Sequence, residues 1–508
     1  MRIIDYFFHN AGKTPDKTAI VCDDNTISYY ELERLVHKWS RFMVNNGVCR
    51  NDHIGVLLHN EIEFAALILV AANLGAALVP LSPALPENAI VNGFKASDVK
   101  HIIGKSLKNL KKEDLPMARG LWLDIGDSGE NPLSIMESTG KKSASPIENM
   151  DVTGEENLIL TLTSGSTGKP KPIVLTQKNK LDRALAAAGS YSVTENDVVL
   201  AATPLYHSLA ERLVIMPMIL GGTSVIMQRF TPALWLNCIK EWNISFTIAV
   251  SSQLAQIAEA LTSPFIPDLT SLRCVVSSSA LLEPHIKIEL LNKLKCEFHE
   301  CYGTSEVAIA TSINMSDSKK KFKSVGVALP GVDVKIVKDD GSFAKIGEKG
   351  EIICKTPMLF KGYYKLPEMT GEAVKDGYFY TGDIGYLDDD GFLHYVDRKH
   401  DVIITGAVNV YPNDIESAIL ELSQVIECAA FPLPDDRLGE VVAVAIVPAD
   451  KESFDQRQIK FHCAKRLADF QQPRKYFVLD VLPKNNLGKL MKRELVKLFS
   501  RGEDDGRK

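Results

Sequence analysis

The chain has 508 residues, 45% of them hydrophobic and 24% charged, with a formal net charge of −6. That length predicts two or more domains, the composition is that of a soluble globular protein, and the negative balance argues against a general nucleic-acid binder. Nine cysteines, an odd number without a CxxC pair, make neither a disulfide framework nor a zinc site.

The first ten residues, Met1–Asn10, lack an uninterrupted apolar core, so no signal peptide is expected. Cys22, Cys238, Cys274, Cys354 and Cys428 sit in or beside apolar runs and are expected to be reduced core thiols, which suits a cytoplasmic setting. The run Phe64–Leu81 is broken by Asn73, Gly75 and Pro80. It predicts a buried helix turning into a buried strand, following the strand His53–Leu58, and no transmembrane span. Asn157–Leu162 reads as another buried strand. It leads into Thr161-Leu-Thr-Ser-Gly-Ser-Thr-Gly-Lys-Pro-Lys171, after which Thr176–Ala188 has helical composition. Strand, Gly/Ser/Thr loop and helix together would present backbone N–H groups to a phosphate, with Lys169 and Lys171 adding positive charge. The loop is not a Walker A motif, because Pro170 follows Gly168-Lys169.

Short β-rich runs follow at Asp197–Ala201, Thr223–Met227, Phe246–Val250 and Arg273–Ser277. Helical candidates such as Pro232–Trp242 and Glu283–Lys295 lie between them, an alternation that predicts α/β layers with largely parallel sheets. From Gly326 the texture changes to strands separated by turns: Asp333–Val337, Gly350–Cys354 and Gly391–Tyr395 predict a smaller antiparallel unit. The last hundred or so residues form a further α/β unit. Its strands are expected near Val425–Phe431 and Glu440–Val447, and its helices at Pro412–Leu422 and Gln456–Ala468. The polar tail Ser500–Lys508 is expected to be disordered.

Four local patterns carry chemistry. Thr163-Ser-Gly-Ser-Thr-Gly-Lys-Pro-Lys171 is the first; Tyr302-Gly-Thr-Ser-Glu306, with one carboxylate suited to magnesium and its retained waters, is the second. Thr381-Gly-Asp383 ahead of Asp397-Arg398 pairs a carboxylate with a guanidinium, a set suited to a diol. Pro483-Lys-Asn-Asn-Leu-Gly-Lys-Leu-Met-Lys-Arg493 places Lys489 in a basic stretch near the C-terminus. In combination and order these resemble the motifs of the adenylate-forming (AMP-binding) enzymes, the superfamily of acyl-CoA synthetases, peptide-synthetase adenylation domains and beetle luciferases. The resemblance spans about Thr161 to Arg493.

The resemblance implies an α/β fold with a large N-terminal domain of layered sheets plus a small antiparallel β unit, residues 1–397. A hinge at 398–400 and a small mobile α+β C-terminal domain at 401–508 would follow. It implies ATP and Mg²⁺ as cofactors, with Thr163, Ser164, Gly165, Ser166, Thr167, Gly168 and Lys171 around the phosphates. Tyr302, Gly303, Thr304, Ser305 and Ser279 would lie near adenine and phosphate, Asp383 and Arg398 on the ribose, and Glu306 on Mg²⁺. Lys489 would be the catalytic lysine, His207 a gate to the acyl pocket, and His400 the pivot. Several positions depart from the family pattern: Ser305 replaces Thr, Pro172 and Ala407 replace Gly, and His400 stands where Asp or Lys is common. The strand end Val276–Ala280 is Ser-rich where Gly is usual.

No carboxylate occurs in Tyr206–Ala210, where amino-acid-activating relatives hold an Asp, so an unsubstituted carboxylic acid is the expected substrate. Coenzyme A is the expected thiol acceptor, with the phosphopantetheine of a separate carrier protein as the alternative. A nucleotide-binding pseudoenzyme is the competing class, and retention of Lys489, Glu306, Asp383 and Arg398 argues against it. Arg212 is expected to face outward from its helix; pairing with the second carboxylate of a diacid is the alternative.

Overall fold

The computed structural model describes residues 1–105, 107, 110–125, 151–164, 170–316, 321–406, 408–435, 437–484 and 490–500. Contacts divide the chain into two compact units, one of residues 1–322, 326–333 and 354–379, the other of residues 323–325, 334–353 and 380–508. Residues 398–400, the expected hinge, are counted with the second.

The first unit is built on two sheets. In the nine-stranded sheet, Glu297–Thr304, Cys274–Ser278, Phe246–Val250, Val198–Ala201, Thr223–Ile226 and Thr18–Cys22 run parallel in that order. Antiparallel strands close both edges. The seven-stranded sheet orders Gly362–Tyr363, Pro170–Thr176, Asn157–Ser164, Ala77–Pro80, His53–Leu57, His101–Gly104 and Trp122–Asp124. Parallel strands buried on both faces need near-continuous apolar runs, and Phe246–Val250 is buried at every position.

The helix Ile62–Leu74 is apolar around its whole circumference and lies in the core, ending at Gly75 with φ 65°. The strand Ala77–Pro80 follows at once, as the run Phe64–Leu81 predicts. Among the described residues no helix is long and apolar enough to cross a membrane. All nine cysteines are free; Cys22, Cys274, Cys354 and Cys428 are buried as expected, whereas Cys238 is only half-buried.

In the second unit, Tyr380–Leu387 belongs to a strand paired antiparallel with Leu393–Arg398, in register Asp383↔Arg398. A further sheet pairs Val425–Asp435 with Gly439–Pro448 antiparallel, and Lys475–Val478 joins Gly439–Pro448 in parallel. The helices Pro412–Leu420 and Gln456–Arg466 pack here. Mixed α/β architecture with a large N-terminal and a smaller C-terminal part is therefore the fold, as the motifs imply.

Charged pairs are sealed inside the first unit. Lys180 Nζ stands 2.5 Å from Glu211 Oε2, with both side chains essentially inaccessible, and Lys287 pairs with Glu300 in the same manner. Such a pair tolerates neither partner's loss, since an uncompensated buried charge remains. Glu211→Ala is expected to destabilise the protein by about 3–5 kcal/mol in urea unfolding, and Lys180→Met added to it should recover most of that loss.

Candidate active site

Asn157–Ser164 and Pro170–Thr176 pair antiparallel, with Thr163 opposite Lys171 and Ser164 opposite Pro170. Gly165, Ser166, Thr167 and Gly168 lie outside the described residues. This register corrects the expectation of strand, loop and helix: a strand of seven residues separates the loop from the helix. The apolar β-rich segment Ile173-Val-Leu-Thr176 prefers the ladder to a helical turn. The helix Gln177–Ser190 starts only afterwards, where Thr176 Oγ1 accepts from Asn179 N and Asn179 Oδ1 accepts from Thr176 N, both at 3.1 Å. Its N-terminus is thus capped by its own side chains.

Arg183 leaves that helix and is 2% exposed. Its guanidinium donates to the carbonyls of Ser305 (2.9 Å), Glu306 (2.6 Å) and Met358 (3.0 and 2.9 Å). Burial, with Arg212 adding to it, lowers its pKa to about 9. One turn back, Asn179 Nδ2 donates to the Leu359 carbonyl at 2.9 Å. The helix thereby fixes two segments, Ser305–Glu306 and Met358–Leu359.

The first of these is the turn between Glu297–Thr304 and Ala308–Asn314. Tyr302 is buried. Gly303 has no alternative, because a Cβ there would lie 1.7 Å from the Ala308 carbonyl oxygen. Within the turn, Thr304 Oγ1 accepts from Glu306 N at 3.3 Å. The Glu306 side chain is held in turn by Tyr363, whose hydroxyl donates to Oε1 at 3.0 Å.

Tyr363 is brought there by its strand, which pairs with Pro170–Thr176 in register Tyr363↔Ile173. Lys171 Nζ lies 5.9 Å from the Tyr363 ring centroid. Burial first, and the Glu306 carboxylate second, push the Tyr363 hydroxyl pKa up, so it stays a donor. Lys171 and Glu306, predicted separately, are joined through a tyrosine that the sequence did not single out. Arg183 was missed too, although one arginine among Leu181, Ala184, Ala187 and Ala188 on the buried helix face is a readable anomaly.

His207 caps the helix Ser208–Leu220. Its Nε2 is sealed with no hydrogen-bond partner, its ring centroid lies 4.7 Å from that of Tyr206, and burial lowers its pKa to about 4. The imidazole is neutral at pH 7. Ser279, at the end of the Cys274–Ser278 strand, takes φ 81°, the left-handed conformation that explains why glycine is usual there. Arg212 contradicts its expectation. It does not face outward: it is 8% exposed.

The second unit holds the other predicted residues. Arg398 Nε stands 2.8 Å from Asp383 Oδ1, an ion pair not aligned as a hydrogen bond, and Asp383 is buried. Asp397 accepts from Arg398 N at 2.8 Å and Asn413 N at 2.9 Å, and burial raises its carboxyl to about 6. His400 is exposed in the turn after Arg398. Lys489, like Ala407, lies outside the described residues. Among the residues flanking it, Lys484 bridges to Leu490 and Met491 N donates to the Pro483 carbonyl at 2.8 Å.

The mixed α/β architecture, with the braced Glu306 turn in the first unit and the Asp383–Arg398 pair in the second, is that of an adenylate-forming enzyme. The chain belongs to the AMP-binding enzyme family, whose pattern it matches over residues 7–364, with the C-terminal domain of that family over residues 414–489. It is 30% identical over 490 residues to a long-chain-fatty-acid–CoA ligase of Mycobacterium tuberculosis, covering 94% of each chain. It is similar to the o-succinylbenzoate CoA synthetase of Bacillus subtilis solved with its acyl-adenylate intermediate, with TM-score 0.85, 27% identity, and coverage of 96% of this chain and 97% of that one. The same enzyme solved with ATP and magnesium ion gives TM-score 0.85 and 27% identity, covering 97% of this chain and 99% of that chain.

Tyr363→Phe removes one hydroxyl and keeps the ring. It is expected to weaken ATP binding in the presence of Mg²⁺ by roughly tenfold, the worth of a hydrogen bond to a charged group. Calorimetric titration with and without Mg²⁺ checks this, because the metal-free affinity should change little.

Proposed function

We propose that the chain is an AMP-forming acid–thiol ligase. A carboxylate oxygen of the acid attacks the α-phosphorus of ATP, the bond to pyrophosphate breaks, and an acyl-adenylate results. The thiol sulfur of coenzyme A then attacks the acyl carbon, its proton passes to solvent, and the bond to AMP breaks. No protein nucleophile is required; such transfers depend on in-line positioning and neutralisation of developing charge.

The observation that carries this reading is the Glu306 turn. Its backbone is clamped by Arg183, its carboxylate by Tyr363, and the Tyr363 ring lies beside Lys171. A half-buried carboxylate offering hard oxygen fits magnesium; Glu306 would hold the ion, which would supply positive charge to offset that of the phosphates. In this reading Lys171 and the residues Thr163 to Gly168 hold phosphate oxygens, and Tyr302 to Ser305 with Ser279 flank the nucleotide. Asp383 and Arg398 take the ribose hydroxyls, and neutral His207 lines the entry of the acid.

Lys489 binds the carboxylate and α-phosphate oxygens during adenylation. Residues 398–400 serve as the pivot between 1–397 and 401–508, exchanging adenylation for thiol transfer. Nine unpaired thiols suit a reducing, cytoplasmic setting.

Acid-dependent ATP–pyrophosphate exchange, followed by mass spectrometry after adding coenzyme A, tests the whole reading. An acyl-CoA product is expected; exchange without it would assign a carrier protein as acceptor, and no exchange with any acid would refute the ligase. Lys489→Ala should lower adenylation by about a hundredfold or more while preformed acyl-adenylate still reacts with thiol. Normal adenylation by that variant would count against the role of Lys489. Glu306→Ala should raise the Mg²⁺ concentration needed for half-maximal exchange, and an unchanged requirement would remove Glu306 as the ligand.

A further inference from the structure

Three cations are buried near one another in the first unit. Lys180 and Arg183 are each 2% exposed and Arg212 is 8% exposed; both Lys180 and Arg183 feel the positive charge of Arg212. The demands of the first two are met. Lys180 has Glu211, and Arg183 has three backbone carbonyls. Arg212 has neither kind of partner. Its Nε is sealed without a hydrogen bond, and no described residue offers the guanidinium a hydrogen bond or an ion pair. Cys301, Tyr191 and Glu211 are the titratable groups that face it; the first two are neutral thiol and phenol, and Glu211 sends Oε2 to Lys180 while its Oε1 makes no hydrogen bond.

An unpaired buried guanidinium is costly, and a native protein that retains one has a use for it. The place narrows the use. Arg212 lies on the helix Ser208–Leu220 that His207 caps, and Cys301 immediately precedes Tyr302 on the strand leading to the Glu306 turn. The parallel neighbour of that strand is Cys274–Ser278. Arg212 is therefore set among the strand ends and helix start where an open α/β sheet binds ligand, and its unpaired neighbour His207 Nε2 adds a neutral polar group.

We propose that Arg212 pairs with a second carboxylate, at the end of the substrate away from the reacting one, so that this ligase activates dicarboxylic acids. This rests on the ligase reading. A planar guanidinium takes a carboxylate through two parallel hydrogen bonds, and a terminal methyl group would leave its charge unmet. Discrimination by a buried polar group left unpaired is far stronger than discrimination by one methylene.

Pyrophosphate exchange is measured with monocarboxylic and dicarboxylic acids of equal chain length on the wild-type chain, Arg212→Met and Arg212→Lys. Wild type should prefer the dicarboxylic series by about a hundredfold in kcat/KM. Arg212→Met should lose that preference, and Arg212→Lys should keep part of it. Thermal melting gives a readout independent of turnover. A dicarboxylic acid should raise the Tm of wild type and not of Arg212→Met, and the variant without acid should melt no lower than wild type, because an apolar side chain replaces an unpaired charge. Wild-type preference for monocarboxylic acids, equal loss of both series in Arg212→Met, or a lower Tm for that variant would each overturn the proposal. No exchange with any acid would overturn the ligase reading itself.

Discussion

The first unit depends on what Arg183 does with its donors. A guanidinium that is 2% exposed must spend them inside the protein, and it spends them on the carbonyls of Ser305, Glu306 and Met358. Backbone that would otherwise be an ordinary hairpin turn becomes a fixed platform. The Glu306 carboxylate rides on that platform, and the segment running from Met358 toward Tyr363 is tied to the same atoms. Tyr363 then closes the ring by donating back to Glu306. The helix Gln177–Ser190, whose first turn is capped by Thr176 and Asn179, thus carries the Glu306 turn.

Close approach is the second constraint. Gly303 sits against the Ala308 carbonyl, and Ala308 itself takes φ 63°, so the hairpin turns back on itself within the span of one carboxylate. Ser279 holds a left-handed backbone without being glycine. Strain of this kind costs about 1–3 kcal/mol per residue and persists where surrounding structure enforces it. Here the neighbouring carbonyls are engaged: Ser251 Oγ donates to the Ala280 carbonyl and, at 3.4 Å, to that of Ser278.

In the second unit, the paired strands set Asp383 against Arg398 by register alone. The buried Asp397 next to it is held by two backbone N–H groups, yet burial raises its carboxyl to about 6. Lys492, 2.8 Å from Glu416, supplies the nearest opposing charge.

The sequence by itself determined the element types, since continuous apolar runs bounded by turn residues leave little choice between strand and helix. Phe64–Leu81 and Pro232–Trp242 are examples. It also determined the family, because Thr163–Lys171, Tyr302–Glu306, Asp383 and Arg398 keep the order and, apart from Ser305 in place of Thr, the residue types. It did not show that Pro170–Thr176 is a strand between loop and helix, for that depends on pairing with partners distant in the chain. Only the tertiary structure decided that Arg183 and Tyr363 support Glu306 and that Arg212 is buried. The reason is physical: a charge on a helix reads as solvated until packing shows which neighbours enclose it, and hydrogen bonds across 57 or 123 residues leave no local trace.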